Sequence, residues 1–310
     1  MRILLAGGTG FIGRKLYGAL TGDGHSVTVL SRSDSSARRI LGQKAAVVEW
    51  DGKSLVGLRS SVDGVDAIVN LSGESIAGRR WSSRQKERLL SSRLEPTRAI
   101  VKAIGQSDKK PALLINQSAV GYYGNTGDAE ITEDHLPGSD FLATLCQKWE
   151  AEAKDAEEYG VRVVRLRTGI VLGRDGGALE RMLVPFRLFV GGPIGSGKQW
   201  TSWIHLDDVI GVIRFALANA KVKGPVNCTA PEPLTNLEFS KTLGRILRRP
   251  SWAPVPAFVL KVLFGEMAEA VLLGGQRVVP EKLMQLGHEF RFPRLQEAFE
   301  DIFRRSTPRS

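Results

Sequence analysis

The feature of this sequence that most constrains its fold is a glycine-rich turn close to the amino terminus. An apolar run over residues 2–6 leads into Gly7, Gly10 and Gly13, and a helical pattern over 11–21 overlaps the last of them. A strand that turns tightly into a closely packed helix needs residues without side chains at these points. The first backbone N–H groups of such a helix also attract an anion. The spacing therefore predicts the phosphate-binding turn that opens a Rossmann-type dinucleotide site.

Short apolar runs alternate with helical patterns through the first half of the chain, a rhythm typical of parallel sheets. The predicted strands cover 2–6, 26–31, 45–50, 67–71, 112–117 and 161–166. The predicted helices cover 11–21, 84–104 and 139–158. Because helices connect successive strands, we predict an α/β fold with a Rossmann-type, doubly wound parallel sheet covered on both faces.

Beyond residue 173 the alternation becomes irregular, although a helix near 207–220 and a strand at 225–229 continue it. From residue 235 the pattern is mostly helical and is punctuated by prolines. We predict a Rossmann domain over 1–175, rejoined by 205–230, and a smaller, mainly helical C-terminal substrate region over 176–204 and 231–310.

The formal net charge is +10, but Lys and Arg are interleaved with Asp and Glu along most predicted helices. This pattern favours a solvated surface and predicts no nucleic-acid partner. The positive excess also favours a phosphate-bearing ligand. The one basic exception, the segment 304–310, is expected to be a frayed end.

Apolar stretches such as 253–264 are interrupted by proline or charge and are too short to span a bilayer, so no membrane partner is expected. The first strand begins next to Met1 without a leader pattern, which predicts a cytoplasmic protein. The two cysteines, Cys146 and Cys228, lack metal-ligand or CxxC spacing. We therefore expect reduced core thiols, with neither a disulfide framework nor a metal site.

The end of the second predicted strand indicates which dinucleotide is preferred. An NAD enzyme has an acidic residue about 20 residues past the glycines, where it binds the ribose 2′-hydroxyl. Here the residues are Ser31 and Arg32. A guanidinium and a hydroxyl suit a 2′-phosphate, so NADP(H) is the predicted cofactor, and an exposed strand-end charge is the alternative for Arg32. Asp51, after the third strand, either meets the adenine or caps the next helix.

Several motifs together resemble the extended short-chain dehydrogenase/reductases, the superfamily that contains UDP-galactose epimerase. They are the GGTGFIG opening at 7–13, Val-Asn-Leu-Ser-Gly at 69–73 and Tyr-Tyr-Gly at 122–124. The chain is more similar still to a subfamily of NAD(P)-dependent epimerases with a helical C-terminal domain of unknown function, which includes proteins labelled cell-division-inhibitor-like. The segments diagnostic of that subfamily are 92–93, 118–124, 167–173, 191–197 and 203–208.

The resemblance implies roles for residues around the predicted cofactor. Leu71 and Ser72 would line the adenosine side, Arg93 would reach the phosphates, and Val171 would lie near the nicotinamide. From the residues alone, Leu71 and Val171 are also ordinary strand residues, and Arg93 could instead pair with Glu95. The full set of predicted cofactor contacts is Gly7, Thr9, Gly10, Phe11, Ile12, Ser31, Arg32, Asp51, Leu71, Ser72, Gly73, Arg93, Ser118 and Val171.

The superfamily's catalytic pair, a Tyr with a Lys four residues on, is missing where the resemblance implies it. Counted back from Trp149 and Glu150, the two places hold Leu142 and Cys146. A nearby lysine makes the tyrosine phenolate available as a base. Without it, a phenol with a pKa of about 10 is a poor base at neutral pH.

Other residues could supply the missing proton chemistry. Ser118, Tyr122 and Tyr123 follow the fifth predicted strand, where doubly wound sheets hold ligands, and a hydroxyl there could polarise a carbonyl. The tyrosines could equally pack under a loop. His205 lies at a predicted strand-to-helix junction beside the acidic pair 207–208, which could orient it as a proton carrier. Alternatively, one of these acids caps the helix and His205 is held in the loop.

The segment 192–198 matches the first seven positions of a P-loop, but the eighth, Gln199, cannot supply the hydroxyl that holds Mg²⁺. We therefore exclude a kinase or ATPase function. The glycines suit a substrate loop instead. Gln199, Trp200 and Trp203 offer hydrogen bonds and flat faces for a sugar or aromatic ligand, or else form a packed aromatic cluster.

The sequence thus predicts an NADP(H)-dependent oxidoreductase or epimerase acting on a carbonyl or carbinol of a small-molecule substrate, for which a nucleotide sugar is one candidate. The alternative is a protein that binds NADP(H) without turnover and acts as a redox sensor or regulator, for example of division. The apparent loss of the Tyr and Lys pair favours this alternative. The helix predicted over 84–104 could form a homodimer face or simply cover the sheet.

Overall fold

The computed structural model describes residues 1–304, so most of the predicted frayed end, 305–310, lies outside the described residues. The strands are β1 (Arg2–Ala6), β2 (Ser26–Ser31), β3 (Ala46–Glu49), β4 (Ala67–Asn70), β5 (Leu113–Ala119), β6 (Glu130–Ile131), β7 (Arg162–Thr168), β8 (Ile170–Leu172), β9 (Trp200–Thr201), β10 (Trp203–His205), β11 (Gly224–Cys228), β12 (Leu234–Thr235) and β13 (Arg277–Val278). The α-helices are α1 (Phe11–Gly22), α2 (Asp34–Leu41), α3 (Leu58–Val62), α4 (Ser83–Gln106), α5 (Phe141–Lys154), α6 (Gly177–Arg187), α7 (Leu206–Ala218), α8 (Asn236–Leu247), α9 (Ala257–Phe264), α10 (Glu281–Gln285) and α11 (Leu295–Arg304).

Seven strands form one sheet in the order β11-β7-β5-β4-β1-β2-β3. From β3 through β5 the neighbouring strands pair in parallel, with Ala6 lying between Leu30 and Asn70. The strand order reverses between β1 and β4, and open parallel sheets bind ligands beyond the carboxyl ends of their strands at such a point. The predicted Rossmann-type fold is confirmed.

Contacts within the chain group it into two compact units. Unit 1 comprises Met1–Ser118, Leu145–Leu166 and Val212–Val226, and unit 2 comprises Ala119–Thr144, Arg167–Gly211 and the described residues from Asn227 on. Each unit is therefore assembled from separate stretches of the chain.

The strands at the centre of unit 1 are buried on both faces. All four residues of β4 are buried, and so are the last four of β1. This explains why these strands are continuous apolar runs instead of alternating apolar and polar residues. On α4, Leu89, Ile100 and Ile104 are fully buried.

A buried hydroxyl links several elements of unit 1. Pro96 lies inside α4 and has no backbone N–H to donate. The hydroxyl of the next residue, Thr97, donates to the carbonyl oxygen of Arg93 at 2.8 Å. It accepts from Asn70 Nδ2 at 2.9 Å and from Trp149 Nε1 at 3.0 Å. Thr97 therefore connects α4 with β4 and α5.

Unit 2 has short strand pairs and a core of its own. β8 pairs with β10 and β6 with β13 in parallel, while β9 and β12 pair antiparallel. Trp203 and Phe299 are fully buried in one apolar cluster, to which α6, α8 and α11 contribute.

Predicted and observed elements agree closely in the Rossmann part. β1 and β2 have the predicted bounds. The helix predicted over 139–158 is shorter, because α5 ends at Lys154 and a 3₁₀ helix, Asp155–Tyr159, follows it. α2 was not predicted, and Ser33 caps it by accepting from the Ser36 N–H at 3.3 Å. Within residues 1–304, no helix is long and apolar enough to cross a membrane.

Candidate functional site

A cavity of about 920 Å³ opens in unit 1 at the carboxyl ends of the first strands. Its volume lies in the range of about 300–1,000 Å³ that is usual for small-molecule and cofactor sites. The lining residues come from the turns after β1, β2, β3 and β4, from α2 and from one side of α4. They are Gly7, Thr9, Gly10, Ser31, Arg32, Ser33, Ser36, Ile40, Trp50, Asp51, Gly52, Leu71, Ser72, Gly73, Glu74, Arg88, Ser91, Ser92, Glu95 and Pro96.

The glycine turn leaves no room for a side chain at Gly7 or Gly13. Gly7 has a φ of +77°, and a Cβ there would lie 2.7 Å from the carbonyl oxygen of Leu71. A Cβ on Gly13 would lie 2.2 Å from the Gly7 carbonyl oxygen. Gly10 is the N-cap of α1 and has no side chain that could accept hydrogen bonds from the first turn. The N–H groups at the start of α1 are therefore suited to an anionic ligand.

Ser31 and Arg32 lie on the wall of this cavity at the end of β2. The Ser31 hydroxyl donates to the Ser33 carbonyl oxygen at 3.1 Å, which holds the turn. Arg32 is exposed, and its guanidinium has neither a hydrogen bond nor an ion pair with residues 1–304. A cation without a protein partner on a cavity wall is available to an anion.

Asp51 also lines the cavity, but one oxygen of its carboxylate is hydrogen-bonded to the backbone of the turn that follows it. Oδ1 accepts from the backbone N–H groups of Lys53 at 2.9 Å and Ser54 at 2.7 Å. These bonds, Ser54 first, hold the pKa of Asp51 below its usual value. The second carboxylate oxygen is left for other contacts.

Arg93 lies behind the loop that follows β4. Its guanidinium donates to the carbonyl oxygens of Glu74 at 2.8 Å and Leu89 at 3.0 Å, and it stacks over the Trp149 ring at 5.2 Å. A Cβ on Gly73 would lie 3.2 Å from Arg93 Cζ, so the glycine lets the guanidinium pack against the loop. Burial lowers the pKa of Arg93, although a guanidinium stays charged at neutral pH. Arg93 is 8 % exposed and supports the cavity wall without lining it.

Ser118 is the last residue of β5 that belongs to unit 1, and its side chain forms a hydrogen bond with a carboxylate. Its hydroxyl donates to Glu150 Oε1 at 2.8 Å, and both side chains are buried. Glu150 Oε2 lies 3.8 Å from Arg165. Glu150 is 32 residues from Ser118 in the chain.

The adjacent residues Tyr122 and Tyr123, both in unit 2, have different surroundings. The Tyr123 hydroxyl donates to Asn227 Oδ1 at 2.6 Å and accepts from Arg167 at 2.9 Å. Burial raises the pKa of Tyr123 to about 12, although the Arg167 charge acts in the opposite direction. The Tyr122 ring is only partly buried and lies 3.5 Å from the Arg167 guanidinium carbon. The Tyr122 hydroxyl makes no hydrogen bond with any residue from 1 to 304.

A buried carboxylate completes this network in unit 2. Glu133 Oε1 accepts from the Asn227 N–H at 3.0 Å, and Oε2 accepts from the Lys282 N–H at 3.3 Å. The Glu133 carbonyl oxygen accepts from Arg167 at 3.0 Å. Burial raises the pKa of Glu133 against the effect of these bonds.

His205 ends β10, directly before α7, as predicted. Its Nδ1 accepts from the Asp207 N–H at 3.0 Å, and its Nε2 lies 3.7 Å from Asp301. The ring is 4 % exposed and packs on Phe292 at 4.1 Å. The Asp208 carboxylate accepts from the backbone N–H groups of Arg291 at 2.7 Å and Phe292 at 3.0 Å. These contacts favour the structural alternative for His205.

The predicted substrate residues have different surroundings in unit 2. Gln199 donates to the carbonyl oxygens of Ile194 at 3.0 Å and Leu272 at 2.9 Å. Trp200 donates to Asp128 Oδ1 at 2.8 Å and is partly buried. Trp203 is fully buried, which favours the packed-core alternative for it. The glycine segment lies between α6 and the two-residue β9, without the strand that precedes a P-loop.

Val171 lies in β8 of unit 2, where it pairs with Ile204. Leu142 and Cys146 lie on α5, where the resemblance places the missing Tyr and Lys, and both are buried. Among residues 1–304, no group of three or more His, Cys, Asp or Glu could hold a metal ion.

The structure thus brings most of the predicted cofactor residues together around one cavity. Those that line it are Gly7, Thr9, Gly10, Ser31, Arg32, Asp51, Leu71, Ser72 and Gly73. Phe11, Ile12, Arg93, Ser118 and Val171 do not line it. No role was predicted from the sequence for Glu74, Arg88, Glu150 or Arg167. Arg167 had one usable signal, since it directly follows the strand predicted over 161–166, and ligands bind beyond the carboxyl ends of such strands.

The fold and this cavity define the chain as a Rossmann-fold protein of the extended short-chain dehydrogenase/reductase type, so the resemblance is confirmed. More narrowly, the chain belongs to the NAD dependent epimerase/dehydratase family, which it matches over residues 3–228. Residues 255–302 match a domain of unknown function (DUF1731).

Three relatives are similar to this chain over most of their own length. The chain is 42 % identical to the chloroplastic SDR39U1 homolog, an epimerase family protein of Arabidopsis thaliana, over 97 % of this chain and 86 % of that protein. It is 39 % identical to the epimerase family protein YfhF of Bacillus subtilis, over 97 % and 98 %. The crystal structure of human epimerase family protein SDR39U1 with NADPH superposes with a TM-score of 0.88 at 39 % identity, covering 97 % of this chain and 99 % of that one.

Proposed function

We propose that this protein binds NADP(H) in the cavity of unit 1 and transfers hydride between the nicotinamide and a carbonyl or carbinol carbon of a small molecule. A nucleotide sugar is the first candidate substrate. The observation that carries the cofactor choice is Arg32, which directly follows β2, lines the cavity and has neither a hydrogen bond nor an ion pair with residues 1–304. The NADPH bound to the human relative supports the same choice.

The residues of the cavity fit a dinucleotide phosphate. The start of α1, with the space left by Gly7, Gly10 and Gly13, would hold the pyrophosphate. Arg32, with Ser31 or Ser33, would hold the 2′-phosphate by charge-assisted hydrogen bonds. Leu71 would contact the adenosine side. When bound, the cofactor supplies or accepts the hydride.

Tyr122 is our candidate for the residue that holds the proton. A proton carrier needs a polar group that is free to bond a substrate, and the Tyr122 hydroxyl has no protein partner among residues 1–304. Tyr123 is unsuited, because its hydroxyl is bonded twice and its pKa is raised to about 12. Arg167, stacked at 3.5 Å on the Tyr122 ring, would fix its position.

The test of the cofactor assignment is a fluorescence titration of ligand-free protein with NADPH and NADH. In Arg32→Ala we expect the NADPH binding free energy to weaken by about 1.5–3 kcal/mol, the range for a charged hydrogen bond, with little change for NADH. Arg59→Ala is the control, since Arg59 lies on α3 and pairs at 3.9 Å with Asp108. Equal losses for both cofactors in Arg32→Ala would refute the 2′-phosphate assignment.

A second candidate function is supported by α5. Leu142 and Cys146 stand where the superfamily places its acid–base pair, and this loss favours a protein that binds NADP(H) as a redox sensor or regulator without turnover. A panel of carbonyl compounds and nucleotide sugars added to the NADPH complex separates the two functions. Oxidation of NADPH by a panel member supports the enzyme. Binding without oxidation or epimerised product supports the sensor.

A further inference from the structure

Four of the six residues that line a second, smaller cavity of unit 1 are arginines. It measures about 220 Å³ and lies where the loop after β4 enters α4. Its lining residues are Arg79, Arg80, Ser82, Arg84, Gln85 and Arg88. Arg88 also lines the larger cavity, so the two cavities adjoin each other.

Arg79 and Arg80 lie in the loop before α4, and two hydrogen bonds hold this loop. Trp81 is 8 % exposed, and its Nε1 donates to the Ile76 carbonyl oxygen at 2.9 Å. Ser82 caps α4 by accepting from the Gln85 N–H at 3.2 Å. The backbones of Arg79 and Arg80 are therefore anchored immediately before the helix.

The positive charge of the cavity is only partly balanced. Arg88 forms an ion pair with Glu74 at 3.1 Å, and the carboxylate also accepts from Gln85 at 3.1 Å. The hydrogen bond from Gln85 and the charge of Arg88 hold the pKa of Glu74 below its usual value. Arg80 and Arg84 have neither a hydrogen bond nor an ion pair with residues 1–304.

The placement of Arg84 also opposes the stability of its helix. It lies in the first turn of α4, where the helix dipole favours an acid, and that turn contains none. It is also four residues before Arg88, and like charges at this spacing repel each other. An anion between the two side chains would relieve both costs.

We propose that this cavity binds a phosphate group of a small molecule held beside the dinucleotide. The phosphate belongs to the substrate of the reaction proposed above, and this identification of the ligand rests on that proposed function. Arginine suits this ligand because its planar fork donates two parallel hydrogen bonds to phosphate oxygens. The shared Arg88 places such a phosphate next to the cofactor cavity.

The experiment measures binding of inorganic pyrophosphate by calorimetry to the whole protein, with and without saturating NADPH. In the double variant Arg80→Gln/Arg84→Gln, pyrophosphate binding to the NADPH-saturated protein should weaken by at least about tenfold. NADPH affinity itself should be unchanged. The control Lys44→Gln/Arg59→Gln removes the same charge from unit 1 outside the cavity and should bind pyrophosphate like the parent.

Each result has one meaning. Equal weakening in both double variants, or no pyrophosphate binding to the parent protein, overturns the site. Tighter arginine-dependent binding of a single-stranded oligonucleotide than of pyrophosphate overturns the small-molecule assignment. If NADPH does not bind the parent, the proposed function fails, while the measurement without NADPH still tests the anion site. The single variant Arg84→Gln should fold at least as stably as the parent, so it replaces the double variant if that one unfolds.

Discussion

At the scale of single residues, two glycines of α1 differ in whether the structure has room for a side chain. A Cβ on Gly13 would overlap the Gly7 carbonyl oxygen at 2.2 Å, whereas a Cβ on Gly18, on the same helix, meets nothing within 4 Å. Gly13→Ala should therefore lower the free energy of unfolding by about 1–3 kcal/mol, as overpacking does. Gly18→Ala should raise it by about 0.5–1 kcal/mol, because alanine favours the helix.

Urea unfolding of the two variants checks this prediction. NADPH titration of the same samples adds a second measurement, in which only Gly13→Ala should lose affinity. Equal stabilities would mean that the turn can shift to admit a methyl group.

The two adjacent tyrosines should respond differently to loss of the hydroxyl. Tyr123→Phe leaves the buried Asn227 and Arg167 each without one partner, so it should destabilise the protein by about 1–3 kcal/mol. Tyr122→Phe should leave stability unchanged and, if Tyr122 holds the proton, abolish turnover. Melting curves and single-turnover assays separate these effects, and normal turnover in Tyr122→Phe would remove it from the mechanism.

Tyr123 also predicts a pH dependence. The pKa of this phenol is about 12 in the folded protein and 10.0 in its ordinary state, so between these values the unfolded chain loses the proton first. Stability should therefore fall as the pH rises through this window. In Tyr123→Phe this decrease in the free energy of unfolding should be absent. Unfolding curves recorded over a pH range of about 10–12 measure it.

Residue types and spacing predicted which residues gather around the cavity of unit 1 better than they predicted the surroundings of the candidate proton carriers. The position of Arg32 at the cavity could be predicted because parallel strands have their carboxyl ends at one edge of the sheet, and a strand end can be found from the sequence. The pairing of Ser118 with Glu150 could not be predicted, since it joins a strand to a helix 32 residues away. The choice between Tyr122 and Tyr123 depends on burial and on Arg167, which the local sequence does not show.

At the scale of elements, the Thr97 hydroxyl is the point where α4, β4 and α5 are joined. Thr97→Val keeps the shape but removes an acceptor from Asn70 and Trp149 and a donor to the Arg93 carbonyl oxygen. We expect a loss of about 1–3 kcal/mol in urea unfolding. Thr21→Val is the matched control, because that hydroxyl is exposed and bonds only to carbonyl oxygens of its own helix. A similar loss in both variants would contradict the linking role.

The parallel sheet was predictable because its central strands, β1 and β4, are buried on both faces and are apolar runs in the sequence. The two-residue strands β6, β9, β12 and β13 were not, since elements this short show no periodicity. α2 was missed for a related reason. Only Ala37 of this helix is buried, so it lacks the apolar stripe of a helix packed on the core.

At the scale of the whole molecule, the two cysteines report on the two units separately. Cys146 lies in unit 1 and Cys228 in unit 2, and both are buried. Burial also raises the pKa of the Cys228 thiol to about 12, so it holds almost no thiolate at neutral pH. Neither thiol should react with Ellman's reagent in the native protein, and both should react in denaturant.

The variants Cys146→Ala and Cys228→Ala assign each reaction to one thiol. Rapid labelling of Cys228 without denaturant would show that this part of unit 2 opens far more easily than its burial implies. Labelling of both at increasing urea then gives an opening free energy for each unit.

The discontinuous make-up of unit 1 has a consequence for biosynthesis. Every residue that lines the larger cavity lies between Gly7 and Pro96, but the sheet beneath it also needs β7 and β11, which ends at Cys228. A ribosome adds about 5–20 residues per second, so on the order of 10 s separates synthesis of the cavity residues from that of the last strand. During that interval the nascent chain holds the ligand-binding residues without their complete support. The cofactor and any chaperone therefore meet an unfinished sheet first.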